Sequence, residues 1–201
     1  MDGESKIVQV AGRGIPVRGD NIDTDRIIPA RYLRAVTFEG LGEHVFEDER
    51  KAARGHPFDD PRYRGASILV VNRNFGSGSS REHAPQALMR WGIKAIVGVS
   101  FAEIFFGNCR TLGIPCAAAA PEWVEALQSA VERDPALEIS LDLEAGKLRA
   151  GHLESDIEMD VSSRESFVSG NWDALAELLG GEEDVKAVAA RLPYVTGFEG
   201  R

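Results

Sequence analysis

The sequence has little cysteine, no long apolar run and no concentration of positive charge. Two cysteines, Cys109 and Cys116, are too few to staple 201 residues, and they lack C-x-x-C spacing. A disulfide scaffold is therefore excluded and a reducing cytoplasm is the expected setting. The opening Met1-Asp2-Gly3-Glu4-Ser5-Lys6 is polar and acidic and does not read as a signal peptide. No apolar stretch approaches the roughly 20 residues needed to cross a bilayer, so no membrane segment is expected. A formal charge of -9 leaves no clustered Lys/Arg surface of the kind that neutralises phosphates, which argues against nucleic acid as a partner. An anionic ligand would need a local group of arginines set against an unfavourable overall field.

What is present is a globular composition, 43% apolar and 27% charged, with the charges spread along the chain and no internal repeat. One domain over residues 1–201 is expected. Lys6–Val10 and Ile15–Val17, around Gly12-Arg13-Gly14, read as a hairpin that opens the domain. Residues 30–54 mix apolar and charged types without clean periodicity and read as loop and short helix. From Ala66 the pattern sharpens. Ala66–Val71 is a short β-branched run suited to a parallel strand buried on both faces, and it is followed by helix (84–91), strand (95–99), helix (101–112) and the apolar stretch 115–119. This is a βαβαβ unit. Beyond it come a helix over 122–133, a hairpin of 137–143 and 147–149, a strand over 157–161, and helices over 165–179 and 183–191, the last stopped by Pro193.

The segment Asn74-Phe75-Gly76-Ser77-Gly78-Ser79-Ser80-Arg81-Glu82-His83 falls at the carboxyl end of a predicted parallel strand and the start of a helix, where open α/β sheets bind ligands. Its glycines let the backbone turn and approach a ligand closely, and the amides that follow would face an anion. It is not a Walker loop, a G-x-S-x-G elbow or a G-x-G-x-x-G fingerprint. Read blandly, Ser79 or Ser80 caps the helix and Arg81 is a solvated first-turn residue. Asp23 and Asp25 supply too few converging ligands for a metal and read as turn and cap residues. His83 is expected to satisfy hydrogen bonds near the helix start, and the two cysteines read as small buried residues.

Gly78-Ser79-Ser80-Arg81-Glu82-His83 resembles the serine loop of the aconitase superfamily. Asn21–Ala30, Phe75-Gly76, Ala84-Pro85 and Ser100–Asn108 are similar to the free-standing small subunits of the isopropylmalate isomerase family. The resemblance implies an aconitase-type swivelling β/β/α domain, three layers with a mainly parallel central sheet plus antiparallel strands. It also implies a hydro-lyase that isomerises 2-isopropylmalate to 3-isopropylmalate by dehydration and rehydration in leucine biosynthesis. In that reaction Ser79, ionised, would take a carbon-bound proton, with Arg81 stabilising the alkoxide and binding a substrate carboxylate. Ser80 and Arg34 would contact the substrate, a small hydroxy di- or tricarboxylate. Arg34 falls where the small subunits carry a loop that reads the substrate's variable group, and its charge favours a carboxylate over an isopropyl group. Homoaconitase and 2-methylmalate dehydratase therefore stand beside the first reading.

A [4Fe-4S] cluster of this superfamily needs three cysteine ligands, and two are available here. The resemblance thus places the cluster on a partner large subunit, with none bound by this chain and neither half active alone. The competing reading from another class is a non-enzymatic module that holds a small organic anion or regulates a partner.

Overall fold

The computed structural model describes residues 6–34, 37–173, 181–192 and 194–195. Its centre is a seven-stranded sheet built from β1 (Gln9–Val17), β2 (Ile68–Val71), β3 (Ala95–Gly98), β4 (Cys116–Ala118), β5 (Glu138–Asp142), β6 (Lys147–Ala150) and β7 (Leu153–Asp156), in the order β4-β3-β2-β1-β5-β6-β7. β1 to β4 run parallel, and β5 to β7 continue the sheet antiparallel. The mixed α/β architecture expected from the sequence is the one observed.

β1 joins the two halves. Residues Gln9 to Arg13 pair with β5, and Gly14 to Val17 pair with β2. Its burial changes at the same point: exposed and buried positions mix in the first half, whereas all four residues of the second half are buried. That is the difference between a sheet with one wet face and a parallel sheet covered on both. The expected N-terminal hairpin is therefore replaced by one continuous strand. Gly12 and Gly14 are there for space, since a β-carbon on Gly12 would fall 2.0 Å from Ser67 Oγ and one on Gly14 would fall 2.7 Å from Ile139 Cδ1.

Ile68, Leu69, Val70 and Val71 are fully buried, as are Ala95, Ile96 and Val97, which makes β2 and β3 the middle of the core. Each leads into a helix, α3 (His83–Trp91) after β2 and α4 (Glu103–Thr111) after β3, while α5 (Pro121–Arg133) runs back across β1, β2 and β3. Before them, α1 (Thr24–Ile27) and α2 (Glu47–Ala52) sit in the long connection from β1 to β2, as read from its composition. Gln128 of α5 is fully buried and donates to Val17 O, Val70 O and Asn72 Oδ1, tying the carboxyl ends of β1 and β2 to the helix.

Two C-terminal expectations are corrected. The strand expected over 157–161 lies earlier, as β7, and beyond it Glu158 only bridges to Ala118. Asp160 instead caps α6 (Val161–Ser169), accepting from Ser163 N at 2.8 Å, and Gly170 ends that helix. The expected helix over 165–179 thus starts earlier and stops at 169, and the part over 174–180 lies outside the described residues. A further helix, α7, covers Glu182–Ala189, and Pro193 also lies outside them.

Candidate active site

Three neighbouring loops leave the carboxyl ends of β1, β2 and β3, and the segment from Asn74 to Ser80 lies between the other two. On the β1 side, Asn21 N donates to Arg73 O at 2.9 Å, Gly76 N to Ile22 O at 2.7 Å and Thr24 N to Ser77 O at 2.8 Å. Asn21 and Asn74 both adopt left-handed backbone, with φ of 55° and 54°, and Asn74 Nδ2 donates to Asn21 Oδ1 at 2.8 Å. Asparagine tolerates that conformation better than most residues. On the β3 side, Phe75 N donates to Ser100 O at 3.1 Å, Ala102 N to Phe75 O at 2.9 Å and Asn108 Nδ2 to Ser80 O at 3.0 Å. Phe75 is buried edge-on against Phe105, with ring centroids 5.3 Å apart. The loop is pinned on both flanks.

This frame presents Ser79 next to Arg81. Arg81 Nε donates to Ser79 Oγ at 2.6 Å, and the Arg81 amide reaches the same oxygen at 3.4 Å. The bland reading of Ser79 and Ser80 as helix caps fails, because α3 begins at His83 with Glu82 in the cap position and no side-chain cap bond. For the same reason the helix dipole contributes less at Ser79 than the sequence led one to expect, since its effect fades beyond the first turn. The donors on the serine oxygen both come from Arg81. Ser79 is half-buried, while Ser80 and Arg81 are exposed.

Ser79 opens onto a small crevice of about 170 Å³, whose walls include Thr24, Asp25, Leu33, Arg81 and His83. Larger hollows exist, one of about 730 Å³ between Gln9–Ala11 and Met89–Lys94, but that one lies at the amino ends of the parallel strands. Ligands of open α/β sheets bind at the opposite, carboxyl ends. Leu33 reaches the crevice because the turn Ala30–Arg34 is anchored from the side. Arg31 pairs with Glu47 and Asp48, Tyr32 stacks on His44 at 4.0 Å, and the Tyr32 hydroxyl bonds Glu47. Lys51, Tyr32 and Arg31 together hold the Glu47 carboxyl down at about 2. Arg34 ends the turn exposed, with no hydrogen-bond or ion-pair partner among the described residues.

Asp23 is the cap the sequence indicated, accepting from Arg26 N at 2.8 Å, whereas Asp25 lines the crevice. His83 departs from expectation: its Nδ1 is buried without a hydrogen-bond partner, and its ring meets Phe38 edge-on at 5.2 Å. Sequence reasoning missed Thr24, whose hydroxyl accepts from Ser79 N at 3.0 Å. The only signal for it was its place within Asn21–Ala30. Cys109 and Cys116 do not fit an iron-sulfur cluster. Both are buried, burial and the neighbouring Cys116 push the Cys109 thiol up, and the sequence holds no third cysteine. A cluster ligand is a thiolate, and the surroundings of Cys109 favour the protonated thiol.

The aconitase C-terminal domain family matches residues 4–115. A 3-isopropylmalate dehydratase small subunit from Synechocystis is 49% identical over 192 residues, covering 95% of this chain and 96% of that relative. The small subunit of the same name from Thermus thermophilus is 49% identical over 193 residues, covering 94% and 96%. A crystal structure of 3-isopropylmalate dehydratase from Methanocaldococcus jannaschii superposes with a TM-score of 0.65 at 27% identity, covering 87% of this chain and 99% of that one. Near-complete coverage on both sides, a shared fold and the serine loop at its carboxyl-end site agree. The chain belongs to the aconitase C-terminal domain family and, within it, to the small subunits of 3-isopropylmalate dehydratase, a hydro-lyase.

Proposed function

We propose that this chain acts, as one domain, as the small subunit that isomerises 2-isopropylmalate to 3-isopropylmalate in the leucine pathway of the cytoplasm, with Ser79 as the base. The observation that carries the reading is the 2.6 Å bond from Arg81 Nε to Ser79 Oγ. A serine alkoxide is a strong base and forms only where fixed donors stabilise its charge. Arg81 supplies a permanent positive charge on one side of the oxygen. Its remaining guanidinium N–H groups, with the exposed Ser80 hydroxyl beside them, can take a substrate carboxylate.

Such donors gain strength when water is excluded, yet Arg81 is exposed in the lone chain. The reading therefore requires a surface that closes over Ser79. A large subunit meets that need, and family membership supports it. The same subunit is where a [4Fe-4S] cluster would lie, supplying the Lewis acid for the hydroxyl group that leaves, since the cysteines of this chain cannot hold it.

The test is Ser79→Ala in a complex reconstituted with a cluster-loaded large subunit. Turnover should disappear while assembly is unchanged. Full activity in that variant would remove Ser79 from the reaction and favour an anion-binding or regulatory module. One observation favours a second substrate. The guanidinium of Arg34, exposed and without a partner among the described residues and one residue from Leu33 in the crevice wall, suits the additional carboxylate of homoaconitate.

A further inference from the structure

Ser79 lies outside regular secondary structure, four residues before α3, so no helix or strand ladder fixes the direction of its side chain. The Ser79 amide is instead held by a side chain of the neighbouring loop, while Asn108 holds the carbonyl of Ser80 beyond it. Thr24 Oγ1 accepts from Ser79 N at 3.0 Å, while the Thr24 amide donates to Ser77 O at 2.8 Å. Between those two residues, a β-carbon on Gly78 would come within 3.2 Å of the same Thr24 oxygen. Ser77, Gly78 and Ser79 are thus all seated against Thr24. The seat is firm, because Thr24 is 5% exposed and opens α1, where Asp23 holds Arg26 N and Ile28 N donates to Thr24 O at 2.9 Å.

We infer that Thr24 is a positioning residue for the base: its hydroxyl pins the Ser79 backbone so that Oγ faces Arg81 Nε. This rests on the reading of Ser79 as the base. Thr24 itself need not touch the reacting carbon. If its hydroxyl is replaced by a methyl group of the same shape, the Ser79 amide loses its acceptor. The half-buried loop can then turn that amide to water, and the serine oxygen leaves the one orientation in which Arg81 bonds it. A displacement of this kind costs turnover more than substrate affinity, since the substrate's carboxylate contacts are untouched. Errors of about 1 Å in such placements lower rates by about a hundredfold.

The experiment compares Thr24→Val, Thr24→Ser and Ser79→Ala in the complete complex with a cluster-loaded large subunit. Thr24→Val should lower kcat by about ten- to a hundredfold with KM changed by less than about threefold. Thr24→Ser, which restores the acceptor, should recover most of the loss. Unchanged kcat in Thr24→Val, a change confined to KM, or a serine variant no better than the valine one would each overturn the inference. If Ser79→Ala is dead while Thr24→Val is fully active, only the positioning role fails; if Ser79→Ala turns over normally, the base reading fails with it. Should Thr24→Val not fold, hydrogen exchange in the unmodified chain decides. A protected Ser79 amide supports the bond to Thr24, and exchange at the rate of a free loop amide refutes it.

Discussion

Arg81 Nε donates to Ser79 Oγ at 2.6 Å, and the two residues stand only two apart on one loop. Arginine reaches back across a single intervening residue, so its charge is brought to the serine by the local backbone. Lysine keeps the charge but has no Nε donor in a planar fork. Arg81→Lys is expected to reduce kcat by about a hundred- to a thousandfold, the usual loss for one oxyanion donor. Steady-state turnover of the reconstituted complex checks this, and a lysine variant within about fivefold of the parent would show that charge alone suffices.

Gly76 precedes the serine by three residues, with φ of +79°, and a β-carbon there would sit 2.1 Å from Cγ of Phe105. Phe105 is almost fully buried and packs on Phe75, so it cannot retreat cheaply. Gly76→Ala combines left-handed strain with overpacking and is expected to destabilise by about 2–5 kcal/mol. Gly55→Ala isolates the first effect, since φ is +87° there and nothing lies within 4 Å of its β-carbon. It should cost about 1–2 kcal/mol. Denaturant melts of the lone chain would compare the two, and equal losses would mean that Phe105 yields.

How much of this was legible in the sequence depended on whether the deciding partner was near or far along the chain. Ile68–Val71 and Ala95–Gly98 are buried on both faces, and that burial writes itself as an unbroken apolar run. Gly12 and Gly14 misled, because locally a glycine pair means a turn. Their real cause is Ser67 and Ile139, which only the folded sheet brings near. β7 lies ahead of the strand expected over 157–161, since Leu153-Glu154-Ser155-Asp156 alternates between half-buried and exposed positions and carries little apolar signal. Within the site, the serine loop and Arg81 were readable as a motif. The hydroxyl of Thr24 was not, its partner lying 55 residues away. His83 Nδ1 is buried without a partner among the described residues and its ring meets Phe38, far along the chain, edge-on, which no spacing encodes.

His56 gives the chain a pH dependence away from the site. Its Nδ1 accepts from Phe58 N at 3.2 Å, which requires an unprotonated nitrogen there. Burial lowers its pKa below the ordinary value, against the opposing charges of Glu49 and Asp59. A folded-state pKa depressed below the unfolded one gives stability that is complete above about 6.5, the unfolded value. It is lost as pH falls through the folded value. His56→Asn keeps a capping acceptor without a titrating ring. Melting temperatures between pH 7.5 and about 5 should therefore fall more steeply for the parent than for His56→Asn. Parallel curves would mean that other groups set the acid response.

Arg34 tests the substrate. It is exposed and has no partner among the described residues, so Arg34→Val should leave stability within about 0.5 kcal/mol of the parent. Selectivity is another matter. A guanidinium that binds the variable carboxylate of homoaconitate contributes about 1.5–3 kcal/mol to that substrate and little to an isopropyl group. Removing it should shift the ratio of kcat/KM values toward isopropylmalate by about ten- to a hundredfold, mainly through loss on the tricarboxylate. The measurement is kcat/KM for both substrates, on parent and variant, with one large-subunit preparation. A ratio that does not move would mean that Arg34 stays in solvent when the complex closes. The Leu33 side chain, already in the crevice wall beside Ser79, would then be the group that meets the variable end of the substrate.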